Sequence, residues 1–382
     1  MKFSFKQTVL IIGGILLLSA YSADAYETTA RNAILMDFDT GEYLFEKNIA
    51  ESVPPASMSK LMTIYILMNK IKDGSVKLDD TFTVSENAWR KGGAATGGST
   101  MFLSIGDNVS VENLIKGIVI QSGNDACIVV AENIAGSEED FADLMNETAK
   151  KIGLKNSSFA NSTGLPHPDQ RMSMEDLAIL SRHIIKEFPN LYHYFKEKEF
   201  VYNNIKQGNR NPLLYTMKGA DGLKTGHTEE AGFCLAASAT KKGRRLIEVM
   251  SGMNSNQERS EESERLMSWG FREFNNYKLF NKGQVVAQAD VWYGKDKKVN
   301  LIVSEDVLKT IRAASKNHIN VTAEFDSPIT APIKAGQKLG NLKIEITDQR
   351  TIEIPLLAAK DVEKVGLWGK FWINIKSLIA GA

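Results

Sequence analysis

The sequence predicts an α/β (α+β) domain in which an antiparallel sheet packs with helices, followed by a small all-β domain and a C-terminal amphipathic helix. Three observations carry this. Strand-like segments near residues 31–47 and 233–252 enclose a long run of helical patterns. After about Asn276 the pattern changes to short alternating stretches separated by turns. The last stretch combines Trp, Phe and Lys at a helical period. The resulting divisions are a leader over 1–25, a main domain over 26–277, a β-rich domain over 278–358 and a tail over 359–382.

In chain order, the first 25 residues read as an export signal. Lys2 and Lys6 supply a positive start, Val9 to Ala20 an apolar stretch, and Ala23-Asp24-Ala25 the small residues of a cleavage site. The apolar stretch, roughly 18 Å long as a helix, is too short for a hydrocarbon core of about 30 Å. Cleavage is expected after Ala25.

Residues 31–47 then read as a hairpin, with Ala33-Ile34-Leu35-Met36 and Tyr43-Leu44-Phe45 flanking the turn Asp39-Thr40-Gly41. From about Ser57 to Lys72 the pattern is apolar nearly all round, which marks a buried central helix. A later helix starts near Met174, where Ser173 and Asp176 stand at capping-box spacing. Strands over 233–238 and 246–250, joined at Lys241-Lys242-Gly243, return the chain to the sheet. A helix at about 258–275 completes the domain. Residues 280–357 read as the β module, with no catalytic constellation.

On the tail, an apolar arc includes Leu367, Trp368, Phe371 and Trp372, with Lys370, Asn374 and Lys376 on the other side. It is too short to span a bilayer and suits the membrane surface. Packing on the protein's own core is the competing reading.

Composition narrows the function. There are 46 basic and 46 acidic side chains, and after cleavage 44 and 45, so no basic excess points to nucleic acid. A hydrophobic content of 43% supports a sizeable core rather than disorder. The two cysteines, Cys127 and Cys234, form neither a disulfide scaffold nor a zinc site and are expected as buried thiols.

The chemistry is carried by three motifs in order. Ser57-Met58-Ser59-Lys60 puts a hydroxyl and an amine on one helix face. Ser122-Gly123-Asn124 lies in a break between two helical stretches, and Lys224-Thr225-Gly226 precedes the strand at 233. Each motif alone is weak, but their order behind a leader is a strong signal. A serine needs a neighbour to take its proton, and a lysine can do so only when its amine is neutral. Burial and the positive charge of Lys224 are both expected to push Lys60 that way. Ser57 is then the nucleophile and Lys60 its base. Ser122 with Lys224 relays a proton to the leaving amine, Asn124 orients Lys60 and a substrate amide, and Lys224 with Thr225 receives a carboxylate.

The chain resembles the serine-type D-alanyl-D-alanine carboxypeptidases, low-molecular-mass penicillin-binding proteins with a transpeptidase/β-lactamase-like domain. Gln121-Ser122-Gly123-Asn124-Asp125-Ala126-Cys127, Lys224-Thr225-Gly226-His227-Thr228 and Ser268-Trp269-Gly270-Phe271-Arg272 are similar to that family's segments. The resemblance implies an oxyanion hole from the backbone N–H groups of Ser57 and His227, with Arg210 and Arg259 near the site. It also implies removal of the terminal D-Ala from peptidoglycan pentapeptide stems through an acyl-enzyme that β-lactams also form. No cofactor or metal is expected, and the location implied is the periplasmic face of the inner membrane.

Three other readings compete with this one. A class A β-lactamase needs a deacylating glutamate, and Lys155 to Arg171 contains none. A D,D-endopeptidase on cross-links uses closely related chemistry. A non-catalytic envelope scaffold has no use for Lys60 or Lys224. The Gly92 to Gly98 run lacks the Gly-Lys-Ser/Thr of a phosphate loop and reads as a flap near the site.

Overall fold

The computed structural model describes residues 5–11, 26–347 and 351–379, and it divides into two compact units, Asp24–Arg272 and a second containing Glu273–Ala382. Most of the segment read as a leader lies outside the described residues. Within it, Phe5–Ile11 runs as a strand antiparallel to Val321–Ser327.

In the first unit the hairpin forms as β1 (Asn32–Asp37) and β2 (Tyr43–Lys47). Asp37 closes its turn by accepting from the N–H groups of Asp39 and Thr40, while Arg244 holds the other carboxylate oxygen at 2.7 Å. The late strands are β3 (Ala220–Thr228), β4 (Gly232–Lys241) and β5 (Arg244–Met253). They join the hairpin in the antiparallel order β2-β1-β5-β4-β3. Thus Lys224-Thr225-Gly226 lies within a strand, at the open edge of the sheet, rather than in a lead-in segment before it.

The sheet is buried on both faces. Every residue of β1 is buried, because alternate side chains serve opposite layers. Ile34 and Met36 join the core beneath the helices. Leu35 faces α6 (Asn256–Glu273), which Gly270 lets come close: a Cβ there would lie 2.3 Å from Leu35 Cδ2.

On the helical side, α1 (Lys60–Lys72) follows a short 3₁₀ turn over Ala56–Ser59, with every residue from Lys60 to Met68 buried. Its all-round apolar pattern is satisfied by α2 (Val111–Val119), α3 (Asn124–Ala135), α4 (Glu138–Lys151) and α5 (Met174–Glu187). Ser173 caps α5 by accepting from Asp176 N–H at 3.1 Å. The reciprocal half of the capping box is not made. The Asp176 carboxylate instead accepts from the N–H groups of Lys155 and Asn156 and from the Ser157 hydroxyl. This anchors the loop that follows α4.

The second unit is all-β, with strands in the order 5–11, 319–327, 338–346, 352–358, 298–302, 285–292 and 329–330. It begins before the composition changes, because Phe274–Phe280 pairs with Val307–Arg312. It also extends past 358, since buried Val362 exchanges backbone hydrogen bonds with Ile333.

The terminal helix spans Leu367–Ile379. Its polar side meets the unit: Tyr293 donates to Asn374 Oδ1 at 2.7 Å, and Lys370 lies over the Tyr293 ring. Leu367 and Trp368 are 84% and 80% exposed, and Phe371 and Trp372 lie on the same open side. That orientation runs against packing on the protein's own core. Among the described residues no helix is long and apolar enough to cross a membrane.

Candidate active site

Several pieces of chain meet at a cleft of about 840 Å³, among them the turn before α1, the break between α2 and α3, the loop after α4, and the edge strand β3. Ser57 lies in the 3₁₀ turn, reached through Ala56 at φ +47°. Ser122 has φ +62°. Both are left-handed conformations that L residues adopt at a cost of about 1–3 kcal/mol, and the surrounding packing holds them there.

Lys60 is the centre of the arrangement. Its side chain is fully buried, and Nζ donates to Ser57 Oγ at 2.9 Å, to Asn124 Oδ1 at 2.8 Å and to the Thr163 carbonyl. Asn124 reaches it from the first residue of α3, with Nδ2 turned toward Gly98. Thr163 is presented by an Asx turn, in which Asn161 Oδ1 accepts from the N–H groups of Thr163 and Gly164. Gly164, at φ +77°, is required here because a Cβ would lie 2.2 Å from the Ala56 carbonyl.

Burial lowers the Lys60 amine to about 8. Among the charges, Arg210 also lowers it, while Cys127 and Asp125 oppose the shift. The repulsion expected from Lys224 acts in the other direction. Lys224 lies well below its ordinary range, first through burial and then through the charge of Lys60. The hydrogen bonds suit a neutral Lys60 as well. Two of its partners only accept, and the third, a hydroxyl, can turn its own proton toward the lone pair.

β3 closes the other wall. Gly226 faces the 3₁₀ turn that carries Ser57 so closely that a Cβ would lie 3.1 Å from both Ala56 Cβ and the Pro55 carbonyl. Thr225 and His227 line the cleft on either side of it. The structure does not join Ser122 to Lys224: among the described residues Ser122 Oγ has no partner, and Lys224 Nζ donates to the Thr225 carbonyl at 3.1 Å.

Both arginines implied by the resemblance line the cleft. Arg210 donates to Ser99 Oγ at 2.6 Å. Arg259 spans Asn256 and the Gly226 and Cys234 carbonyls, with its guanidinium over the Phe233 ring. Burial lowers Arg259 to about 10. Among the described residues neither arginine pairs with a carboxylate, and no acidic residue lines the cleft. Such a surface suits an anionic group.

Residue types alone did not single out the clamp at Asp125. Its buried carboxylate accepts from Thr100 Oγ1 and from the N–H groups of Met101, Leu103 and Ala126. The Ser99 carbonyl in turn accepts from Asn124 N–H. Together these bonds tie the end of the Gly92–Gly98 segment to α3, where Gly97, Gly98 and Ser99 line the cleft. Cys127 and Cys234 are buried free thiols, pushed up by burial to about 12 and 11.

The profile of the peptidase S11 D-alanyl-D-alanine carboxypeptidases matches residues 19–255. The chain belongs to this family. Residues 274–364 match the C-terminal domain of penicillin-binding protein 5. The D-alanyl-D-alanine carboxypeptidase DacC of Escherichia coli is 40% identical over 354 residues, which are 92% of this chain and 88% of that protein. The crystal structure of penicillin binding protein 5 from Haemophilus influenzae is similar at a TM-score of 0.81 and 35% identity, covering 90% of this chain and all of its own. Penicillin-binding protein D2 of Listeria monocytogenes, in its ampicillin-bound form, is similar at 0.56 and 27% identity, over 65% of this chain and 99% of its own.

A pH dependence follows for a site of this kind. Only neutral Lys60 can accept the Ser57 proton, so acylation should slow as pH falls below about 8. With a labelled penicillin, the second-order rate should drop about tenfold per pH unit below that point and level off above it. A rate that stays constant between about pH 5 and 8 would show that Lys60 is not the base.

Proposed function

We propose that this chain removes the C-terminal D-Ala of peptidoglycan pentapeptide stems through an acyl-enzyme on Ser57. One observation carries the reading: a buried amine of lowered proton affinity touches the nucleophile, in a cleft whose cationic wall has no acidic partner. Lys224, Thr225, Arg210 and Arg259 receive the terminal carboxylate, which makes the cut an exo-cleavage.

The stem lies along the free edge of β3 as an added strand, its backbone taking up hydrogen bonds that the sheet leaves open. Ser57 Oγ attacks the carbonyl of the penultimate D-Ala while its proton passes to Lys60 Nζ. The N–H groups of Ser57 and His227 hold the oxyanion. The amide C–N bond then breaks, and D-Ala leaves with the proton that Lys60 took from Ser57, relayed through Ser122 and Lys224, which returns Lys60 to its neutral form. The unpartnered Ser122 hydroxyl is free to bridge once substrate arrives. Asn124 keeps Lys60 oriented throughout and offers Nδ2 to the substrate. Water then attacks the ester, Lys60 takes its proton and returns it to Ser57 Oγ as the ester bond breaks, and the shortened stem departs.

β-Lactams present a carbonyl beside a carboxylate and acylate the same serine, in keeping with the ampicillin-bound Listeria relative. The ring-opened amine stays tethered to the acyl group and does not clear the site as D-Ala does, and among the described residues no carboxylate lines the cleft to assist a deacylating water, so that adduct persists. The expected setting is the periplasmic face of the inner membrane, reached through the leader and held by the exposed aromatic side of the terminal helix.

Two experiments test this. Purified pentapeptide muropeptides incubated with the protein should lose one D-Ala by mass spectrometry, and Ser57→Ala should cut the rate by at least about 10³-fold. Cleavage restricted to cross-linked dimers would favour an endopeptidase instead. Removing residues 367–382, which spares buried Val362, should release active enzyme from membranes into the soluble fraction. Retention on the membrane would refute the anchor.

A further inference from the structure

The main sheet of the β unit has two unlike edges. One is blunted by the two-residue strand Ile329–Thr330. At the other, directly inside the leader segment Phe5–Ile11, runs Ile319–Ser327, nine residues long. Its inner side pairs with Lys338–Ile346, from Ile319 opposite Ile346 to Phe325 opposite Gly340, without a register shift. On its outer side Phe5–Ile11 is its strand partner among the described residues, antiparallel and again without a shift. Removal of the leader after Ala25 therefore leaves a full-length edge strand.

A bare edge is a template for strand addition, and proteins usually blunt one with a short strand, a proline, a bulge or a lysine. Ile319-Asn320-Val321-Thr322-Ala323-Glu324-Phe325-Asp326-Ser327 has none of these. Its inward positions are apolar: Ala323 and Phe325 belong to the core of the unit, and Val321 packs against it. Its outward positions carry the charge. Glu324 and Asp326 are exposed, and Glu345 and Glu353 share their face with Lys343. Lys343 is itself engaged by Glu345 at 2.5 Å. The edge is thus apolar on one face and acidic on the other, and a strand that joins it must match both. A second copy does not. Antiparallel pairing about Ala323 would set the two Glu324 residues diagonally, about 7–8 Å apart, where like charges repel. A basic strand does match: in the register of the leader segment, Lys6 stands opposite Asp326.

We propose that the edge Ile319–Ser327 is a docking site for an extended segment of another protein, added antiparallel as a further strand, whose residues alternate between apolar and basic. Its backbone takes the hydrogen bonds that the leader segment vacates. Its apolar side chains extend the layer of Val321, Ala323 and Phe325, and its lysines or arginines face Glu324 and Asp326. The site rests on the reading of residues 1–25 as a cleaved leader.

The test uses the chain from Tyr26 to Ala382 and a fluorescein-labelled peptide, Phe-Lys-Val-Lys-Val-Thr-Ile, whose lysines fall opposite Asp326 and Glu324 in the leader's register. Fluorescence anisotropy should show saturable binding with a Kd on the order of 10–100 μM, in keeping with a small transient interface. Hydrogen exchange over residues 319–327 should slow by at least about tenfold at saturation. Glu324→Lys combined with Asp326→Lys should weaken binding at least about tenfold. Glutamates in place of the peptide's lysines should do the same, which keeps the test informative if the double variant does not fold. Absence of binding would overturn the docking edge. So would binding that leaves exchange at 319–327 unchanged, or that is indifferent to both charge reversals. A dimer of the chain in sedimentation, lost in the double variant, would make a second copy the occupant and overturn the partner proposed. Mass spectrometry of the protein recovered from membranes separates the underlying reading. A chain that starts at Tyr26 supports it, and one that keeps residues 1–25 overturns both the leader and the edge.

Discussion

The burial of one amine organises the catalytic unit. Lys60 belongs to a helix that is apolar on every side, so its side chain cannot reach bulk water from where it starts. An isolated ammonium there would be costly, and the protein answers in two ways. It lowers the proton affinity of the amine, and it supplies three oxygens at hydrogen-bonding distance. Each oxygen comes from a different segment. The turn before α1, the start of α3 and the loop after α4 must therefore converge, and much of the local architecture serves that convergence.

Charge extends the constraint outward. Lys60, Lys224, Arg210 and Arg259 gather around one cleft whose lining contains no acid. Burial first, and then repulsion from Lys60 and Arg210, holds Lys224 well below its ordinary range. An incoming carboxylate relieves this repulsion, so substrate recognition and the electrostatic stability of the site are two sides of one arrangement. Tight backbone contacts keep it in place. Gly226 lets β3 approach the turn that carries Ser57, and Gly164 does the same for the loop that presents Thr163.

Much of this was legible in the chain. The all-round apolar run after Ser57, the hairpin, the late strands and the three motifs each have a local signature in residue type and spacing. What stayed hidden depends on contacts between side chains and distant backbone. Nothing near Asp125 signals that it grips Thr100, Met101 and Leu103, and nothing near Asn161 signals that it aims a carbonyl at Lys60. Arg210 and Arg259 could be suggested by resemblance, but their lack of acidic partners emerges only when segments far apart in sequence meet. The β3 edge was misjudged for a related reason: Lys-Thr-Gly has no strand-like alternation, and its pairing is decided by β4. Ser173 and Asp176 had the right spacing for a reciprocal cap, yet the loop at 155–157 claimed the carboxylate.

The central claim is that burial brings the Lys60 amine down far enough for a working fraction to be neutral near pH 7, and its own titration tests this most directly. With lysine labelled by ¹³C at the ε-carbon and Lys60→Arg used for assignment, the Lys60 resonance can be followed against pH by NMR. A midpoint near 8 agrees with a buried amine ready to take the Ser57 proton. A midpoint near the ordinary lysine value of about 10.4 would contradict it, and the base would have to be sought elsewhere.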